Sequence, residues 1–213
     1  MIRTVAFDVG ETLVRDDRSW ASWADWLSVP RHTVSALVGA VVARGKDNAE
    51  ALRLIRPGID VGAEYRAREE AGRGEDLNES DVYADVRPAL GTLRARGVRV
   101  VIAGNQTVRA GELLHALRLP ADLIATSGEW GVVKPSRAFF ERLVTEAGGP
   151  AEDILYVGDH PQNDVFPARA AGLRTAHLRR GPWGYLWAED PEVITAADYR
   201  INSLMDLVSI ATS

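Results

Sequence analysis

Residues 5–14 read VAFDVGETLV. The apolar run stops on a carboxylate, Asp8, and Gly10, Glu11 and Thr12 follow at once. An uninterrupted apolar run, unlike one that alternates with polar residues, marks a strand covered on both faces, as in a parallel sheet. In open parallel sheets, ligands bind outside the carboxyl ends of the strands. An acid at that end therefore points to chemistry, and the reading turns on what the rest of the chain brings to meet it.

Further runs of the same character lie at 98–103, 123–126, 154–157 and 175–178. Between them VRPALGTLRARG, GELLHALRL, SRAFFERLVTEAG and DVFPARAAG have helical character, and three of these end at glycine, a frequent helix stop. Alternating strand and helix predicts right-handed crossovers and an α/β fold with a doubly wound parallel sheet. The C-terminal ADYRINSLMDLVSIATS predicts a short strand and then an amphipathic helix. Residues 15–80 break the rhythm. SWASWADWL, RHTVSALVGAVVARG, NAEALRLIR and GAEYRAREEAG predict helices only, and GRGEDLNES reads as the linker back. The expected organisation is a core of residues 1–14 and 81–213 with a small all-helical insertion at 15–80.

At 46% hydrophobic and 26% charged residues, the 213-residue chain is an ordinary globular composition, sized for one domain with an insertion. A net charge of -5 leaves no electrostatic footprint for nucleic acid or an acidic membrane. The absence of cysteine excludes disulfides, thiolate metal sites and cysteine nucleophiles. The opening MIRTVAFD reads as a strand rather than a charged-then-apolar leader, and no apolar stretch approaches the roughly 20 residues of a membrane span. A cytoplasmic location is the expectation.

The other strand ends supply the partners of Asp8. The second delivers Gly104, Asn105 and Gln106; after the third, GEWGVVKPS carries Lys134; the fourth delivers GDHPQND, with Asp159 and Asp164. Carboxylates gathered in one crevice repel, and a hard divalent cation such as Mg²⁺ relieves that repulsion through oxygen ligands. A lysine beside them attracts a phosphate dianion, and a carboxylate aimed at phosphorus can attack it. Taken singly, each residue has a blander reading: Asp8 as a helix N-cap, Lys134 as a surface lysine, Asn105 as the cap of the next helix.

In order, FDVGETL, VIAGNQ, GVVKPS and VGDHPQND resemble the four motifs of the haloacid dehalogenase-like (HAD) hydrolase superfamily, over about two-thirds of the chain. The helical insertion falls where many members carry a cap. The resemblance implies a Mg²⁺-dependent hydrolase acting on a small phosphorylated substrate through an aspartyl-phosphate. It implies Asp8 as nucleophile, Lys134 as phosphate-binding lysine, and Gly104 and Asn105 beside the phosphate. Asp8, the Gly10 carbonyl and Asp159 would serve the metal, with Asp164 as a second acid that supports the metal or the lysine. Cap opening and closing would admit substrate and exclude water.

Two positions depart from the family pattern. Gly10 stands where most phosphatases of the family have a second aspartate as general acid, and Gly104 where a serine or threonine usually precedes the asparagine. General acid catalysis is typically worth about 10²- to 10⁴-fold. Either the leaving group needs little protonation, as in an acyl or sugar-1-phosphate, or Glu11 or His160 supplies the proton; Gln106 or Thr107 could replace the hydroxyl. Two rivals follow: a metal-independent 2-haloacid dehalogenase, and a degenerate member retained as a binding or regulatory protein. Trp20, Trp23 and Trp26 share one helical face, as packing or as an apolar lid; Trp183, Tyr185 and Trp187 are loop anchors or meet the cap or a second subunit, which leaves a homodimer open. His32, His115 and His177 lack metal-ligand spacing and are expected to be structural.

Overall fold

Thr4–Phe7 (β1) lies inside a six-stranded, wholly parallel sheet. The remaining strands are Arg99–Gly104 (β2), Leu123–Thr126 (β3), Ile154–Gly158 (β4), Arg174–Leu178 (β5) and Tyr199–Ile201 (β6), and the order across the sheet is β3-β2-β1-β4-β5-β6. A computed structural model of the chain describes residues 1–211.

The continuous apolar runs exist because both faces of the sheet are covered. Val5 and Phe7 join Val100, Ile102, Leu155 and Val157 beneath Val86, Leu90 and Leu93 of the helix Val86–Ala95, with Leu114 and Leu207. Ala6 turns the other way, with Val101, Ala103, Ile154 and Tyr156, onto Phe139, Phe140 and Leu143 of the helix Arg137–Ala147. Period-two alternation thus persists in the backbone while the hydropathy pattern hides it. Phe139, Phe140 and Tyr156 meet edge to face at 5.3 and 5.4 Å, a preferred aromatic geometry.

The order matters for function. Chain direction across the sheet reverses between β1 and β4, the switch point at which a crevice opens outside the strand ends. Phe7 pairs with Val157, so Asp8 and Asp159 leave neighbouring strands at nearly the same height.

The chain divides into two compact units, Met1–Arg15 with the residues from Leu77 onward, and Asp16–Asp76. The second is all helical: Asp17–Leu27, Arg31–Val42, Glu50–Ile55 and Val61–Glu70. Its small core gathers Trp23, Leu27, Leu52 and Ile59, with Trp20 and Trp26 packed against them. Valines favour strands, yet Val34, Val38 and Val41 recur at helical spacing and are buried, so packing overrides propensity here. Among the described residues, no helix is long and apolar enough to cross a membrane.

Three short elements escape the sequence reading. GEWGVVKPS, given no element in the sequence reading, starts inside the helical turn Ser127–Trp130, where Thr126 and Glu129 form a reciprocal capping box. The aromatic segment after β5 is the helix Gly181–Leu186, with Pro182 preset in its first turn. Pro161–Val165 is a single π-helical turn ahead of the helix Phe166–Ala170. Segments of four to six residues carry too few positions for a 3.6-residue period to register.

Candidate active site

β1 hands over to Asp8, whose amide still bonds Val157 at 2.9 Å. The chain then turns tightly: the Val9 carbonyl accepts the amides of Leu13 and Val14 at 2.8 and 3.1 Å, and Glu11 adopts a left-handed φ of 51°. Gly10 is bridged to Val14, and Val14 to Val82, which closes the loop onto the segment that precedes the helix Val86–Ala95.

Lys134 arrives from the far side of β2. The side-chain amide of Asn105 clamps its backbone, donating to the Lys134 carbonyl at 2.9 Å and accepting the Lys134 amide at 2.8 Å. Neither blander reading of these two residues describes what they do. Lys134 is 5% exposed, and the helix Val108–Ala116 is capped by Thr107, whose hydroxyl oxygen accepts the Ala110 amide at 3.0 Å. Lys134 Nζ donates to Asp8 Oδ1 at 2.5 Å and Asp164 Oδ1 at 2.6 Å, above the Tyr156 ring at 5.5 Å.

Asp159 and Asp164 come from the end of β4. The π-helical turn carries Asp164 back over the strand, where its Oδ2 accepts the His160 amide at 2.9 Å. Gly158 makes that approach feasible, since a β-carbon there would lie 2.2 Å from Asp164 Oδ2. π turns recur at functional sites because they re-aim one side chain without ending the helix. Asp8, Asp159 and Asp164 each offer an oxygen, all within 4.8 Å of one another, and all three are buried.

The electrostatics follow from burial. Loss of water pushes the Asp8 carboxyl above its usual range; Asp164 adds to the rise, and Lys134 opposes it. Burial works to lower Lys134, but the Asp164 and Asp8 carboxylates outweigh it and hold the ammonium well above its ordinary value. Burial likewise raises the Tyr156 phenol, whose hydroxyl donates to the Ala103 carbonyl at 2.8 Å. His177 is buried, its Nε2 is 3.0 Å from the Asp159 carbonyl, and burial lowers its pKa. One ammonium against three carboxylates leaves a local deficit of two positive charges. An all-oxygen donor set of that charge fits a hard divalent cation.

Gly104 has a steric role that the sequence does not display. A β-carbon there would lie 2.6 Å from Asp8 Oδ1 and 3.0 Å from Val9 Cγ2, so the glycine leaves room for the Asp8 carboxylate as it turns toward Lys134. Of the two sequence-read proton donors, Glu11 accepts the Tyr83 hydroxyl proton at 2.5 Å, and the His160 ring stacks on Trp183 at 3.7 Å. Trp183 is buried and also stacks on Trp187, whereas Tyr185 stays exposed.

A support network went unread in the sequence. The Arg180 guanidinium donates to the Thr12 carbonyl at 2.8 Å and to Asp85 Oδ2 at 2.7 Å, and covers the Tyr83 ring at 4.1 Å. The same Asp85 oxygen accepts the Ser203 hydroxyl and the Leu204 amide, each at 2.9 Å. The loop after β1 is thereby tied to the segments after β5 and β6. The only signal was an arginine two residues past β5, indistinguishable in sequence from the exposed Arg179 beside it.

The family model for haloacid dehalogenase-like hydrolases matches residues 2–172. A glyceraldehyde 3-phosphate phosphatase of Methanocaldococcus jannaschii is 35% identical over 131 residues, 60% of this chain and 55% of that protein. A phosphoserine phosphatase of Thermus thermophilus is 32% identical over 166 residues, 73% of this chain and 62% of that protein. The chain thus spans somewhat over half the length of these relatives. Among solved structures, the magnesium-bound HAD-hydrolase YfnB of Bacillus subtilis superposes with a TM-score of 0.73 at 19% identity, covering 100% of this chain and 99% of that one.

Proposed function

The chain belongs to the haloacid dehalogenase-like hydrolase family, and on that premise we propose that it is a Mg²⁺-dependent phosphatase working through an aspartyl-phosphate on Asp8. The observation that carries this reading is Lys134 Nζ, held between Asp8 and Asp164 at 2.5 and 2.6 Å, with Asp159 in the same oxygen cluster. A binding module would have no need to bury one cation among three acids.

Asp8 attacks the phosphorus, and the bond to the leaving oxygen breaks. Water then attacks the aspartyl-phosphate, releasing phosphate and restoring the carboxylate. Lys134 favours the ionised, attacking form of Asp8 and offsets charge on the transferring group. Asp8, Asp159, Asp164 and the Gly10 carbonyl would hold Mg²⁺, which when bound supplies positive charge to the phosphoryl oxygens. Asn105 acts on this chemistry through Lys134, by fixing the backbone from which the ammonium extends.

Gly10 offers no proton to the departing group, and the Glu11 carboxylate is engaged by Tyr83. The substrate that suits such a site is a small molecule with a leaving group of low basicity: an acyl phosphate, a sugar-1-phosphate or another activated monoester. The named activities of the relatives support a small phosphorylated substrate, although the compounds in those names are esters of primary alcohols rather than activated phosphates. A small soluble substrate accords with a cytoplasmic enzyme.

The test is phosphate release from a panel of acyl phosphates and monoesters with Mg²⁺, comparing wild type with Asp8→Asn. Turnover should vanish in the variant and on chelation. Chloride release from a 2-haloacid that persists under chelator would instead establish the dehalogenase. Turnover unchanged by Asp8→Asn removes the proposal.

A further inference from the structure

The helical unit buries a cation outside any direct ion pair. Arg68, on the helix Val61–Glu70, is 3% exposed, and among the described residues it forms no ion pair. Its Nη2 donates to Ser22 Oγ at 2.7 Å, and its Nε is buried without an acceptor. The flat face of the guanidinium covers the Trp23 ring at 4.1 Å, and Trp23 meets Tyr65 edge-on at 5.0 Å. Arg73, set over Trp26 at 5.4 Å, lies close enough to repel Arg68. Glu75 attracts Arg68 without reaching it as an ion pair.

Stacking on an indole satisfies the face of a guanidinium but not its edge. Buried donors are almost always bonded, and a buried charge without a partner is strongly disfavoured. The donor without an acceptor, Nε, lies beside Nη2 on the edge that matches two oxygens of a carboxylate or phosphate. The Ser22 hydroxyl accepts from Nη2 and so keeps its own proton for the same guest.

We propose that Arg68, Ser22 and Trp23 form an oxyanion site within the helical unit, taking the carboxylate or phosphate group of a small ligand. The site does not depend on the phosphatase reading, since its residues lie outside the Asp8 cluster. A nearby second cation adds to its attraction for anions and opposes occupation by a cationic side chain.

The test follows thermal unfolding of the full chain, freed of metal beforehand, in a zwitterionic buffer, as inorganic phosphate or acetate is added. Chloride at matched ionic strength controls for screening. Phosphate or acetate should raise the wild-type midpoint saturably and beyond the effect of chloride. Arg68→Met should abolish that increment, yet unfold no lower than wild type without added anion, because it replaces an unpaired charge by an apolar chain of similar length. Arg68→Lys, which keeps the charge but loses the fork, should need at least about tenfold more anion. A stronger response to phosphate than to acetate assigns a phosphate group, and the reverse a carboxylate. Equal increments in wild type and Arg68→Met overturn the site. So does an Arg68→Met protein markedly less stable than wild type in anion-free buffer, which would make Arg68 a structural partner of Trp23.

Discussion

Lys134 Nζ donates to Asp8 Oδ1 at 2.5 Å, although the two residues stand 126 positions apart in the chain. Both are buried, so their charge balance is decided locally rather than by solvent. Asp164 shares the same ammonium, and Asp159 completes the acid cluster.

The two uncompensated negative charges predict stabilisation by a divalent cation. Mg²⁺ at about a hundredfold excess over its dissociation constant should add about 2.7 kcal/mol to the unfolding free energy. Asp159→Asn removes one of the proposed ligands while leaving the Lys134 contacts with Asp8 and Asp164 in place, so it should weaken Mg²⁺ binding without unfolding the core. Calorimetric titration of metal-free wild type and variant checks both statements; indistinguishable affinities would count against the cluster as a metal site.

Lys134→Met leaves Asp8 and Asp164 buried without their cation. Removing one partner of a buried pair typically destabilises by about 3–5 kcal/mol. Burial already raises the Asp8 carboxyl, and Lys134 opposes that rise, so the variant raises it further. A carboxyl raised in the fold binds its proton more tightly there than in the unfolded chain. Its contribution is therefore lost as pH climbs above the unfolded value of 3.8 and regained as pH falls. Denaturant unfolding should show a larger deficit at pH 8 than at pH 5, and a pH-independent deficit contradicts this account.

Gly104→Ala adds a β-carbon 2.6 Å from Asp8 Oδ1 and must push that carboxylate aside. Overpacking of this kind usually destabilises by about 1–3 kcal/mol. In an Asp8→Ala background the nearest obstructing atom is gone, while the contacts with Val9 remain. A double-mutant cycle should then return a coupling of about 1 kcal/mol between positions 8 and 104; strict additivity would show that Gly104 has no steric link to Asp8.

Asp85 gives an acid-side prediction. Burial works against its charge, but bonds from Arg180, the Leu204 amide and Ser203 outweigh it and hold the carboxyl below the usual range. A depressed carboxyl contributes stability that is present above its unfolded value of 3.8 and lost as pH falls through its folded value. Asp85→Asn should destabilise by about 1.5–3 kcal/mol at pH 7, the range for bonds to a charged group. That gap should close as both proteins are taken below pH 3.8, as followed by acid titration of unfolding.

Much of the architecture was determined by the sequence itself. Strand and helix periods depend on neighbours within a few residues, so the apolar runs and their alternation with helical segments specify a parallel sheet covered on both faces. The acids after β1 and β4 and the lysine after β3 stood out for the same reason: each is a polar residue next to a run that should bury it. Tertiary structure decided the rest. It made Lys134 a bridge between Asp8 and Asp164, turned Asn105 onto the Lys134 backbone, and gave Gly104 its place beside Asp8. It also joined Tyr83, Asp85, Arg180 and Ser203, whose side chains look like surface residues when read in order. Those pairings join positions far apart in the chain, and their free energies depend on distances and loss of water that arise only once the layers pack.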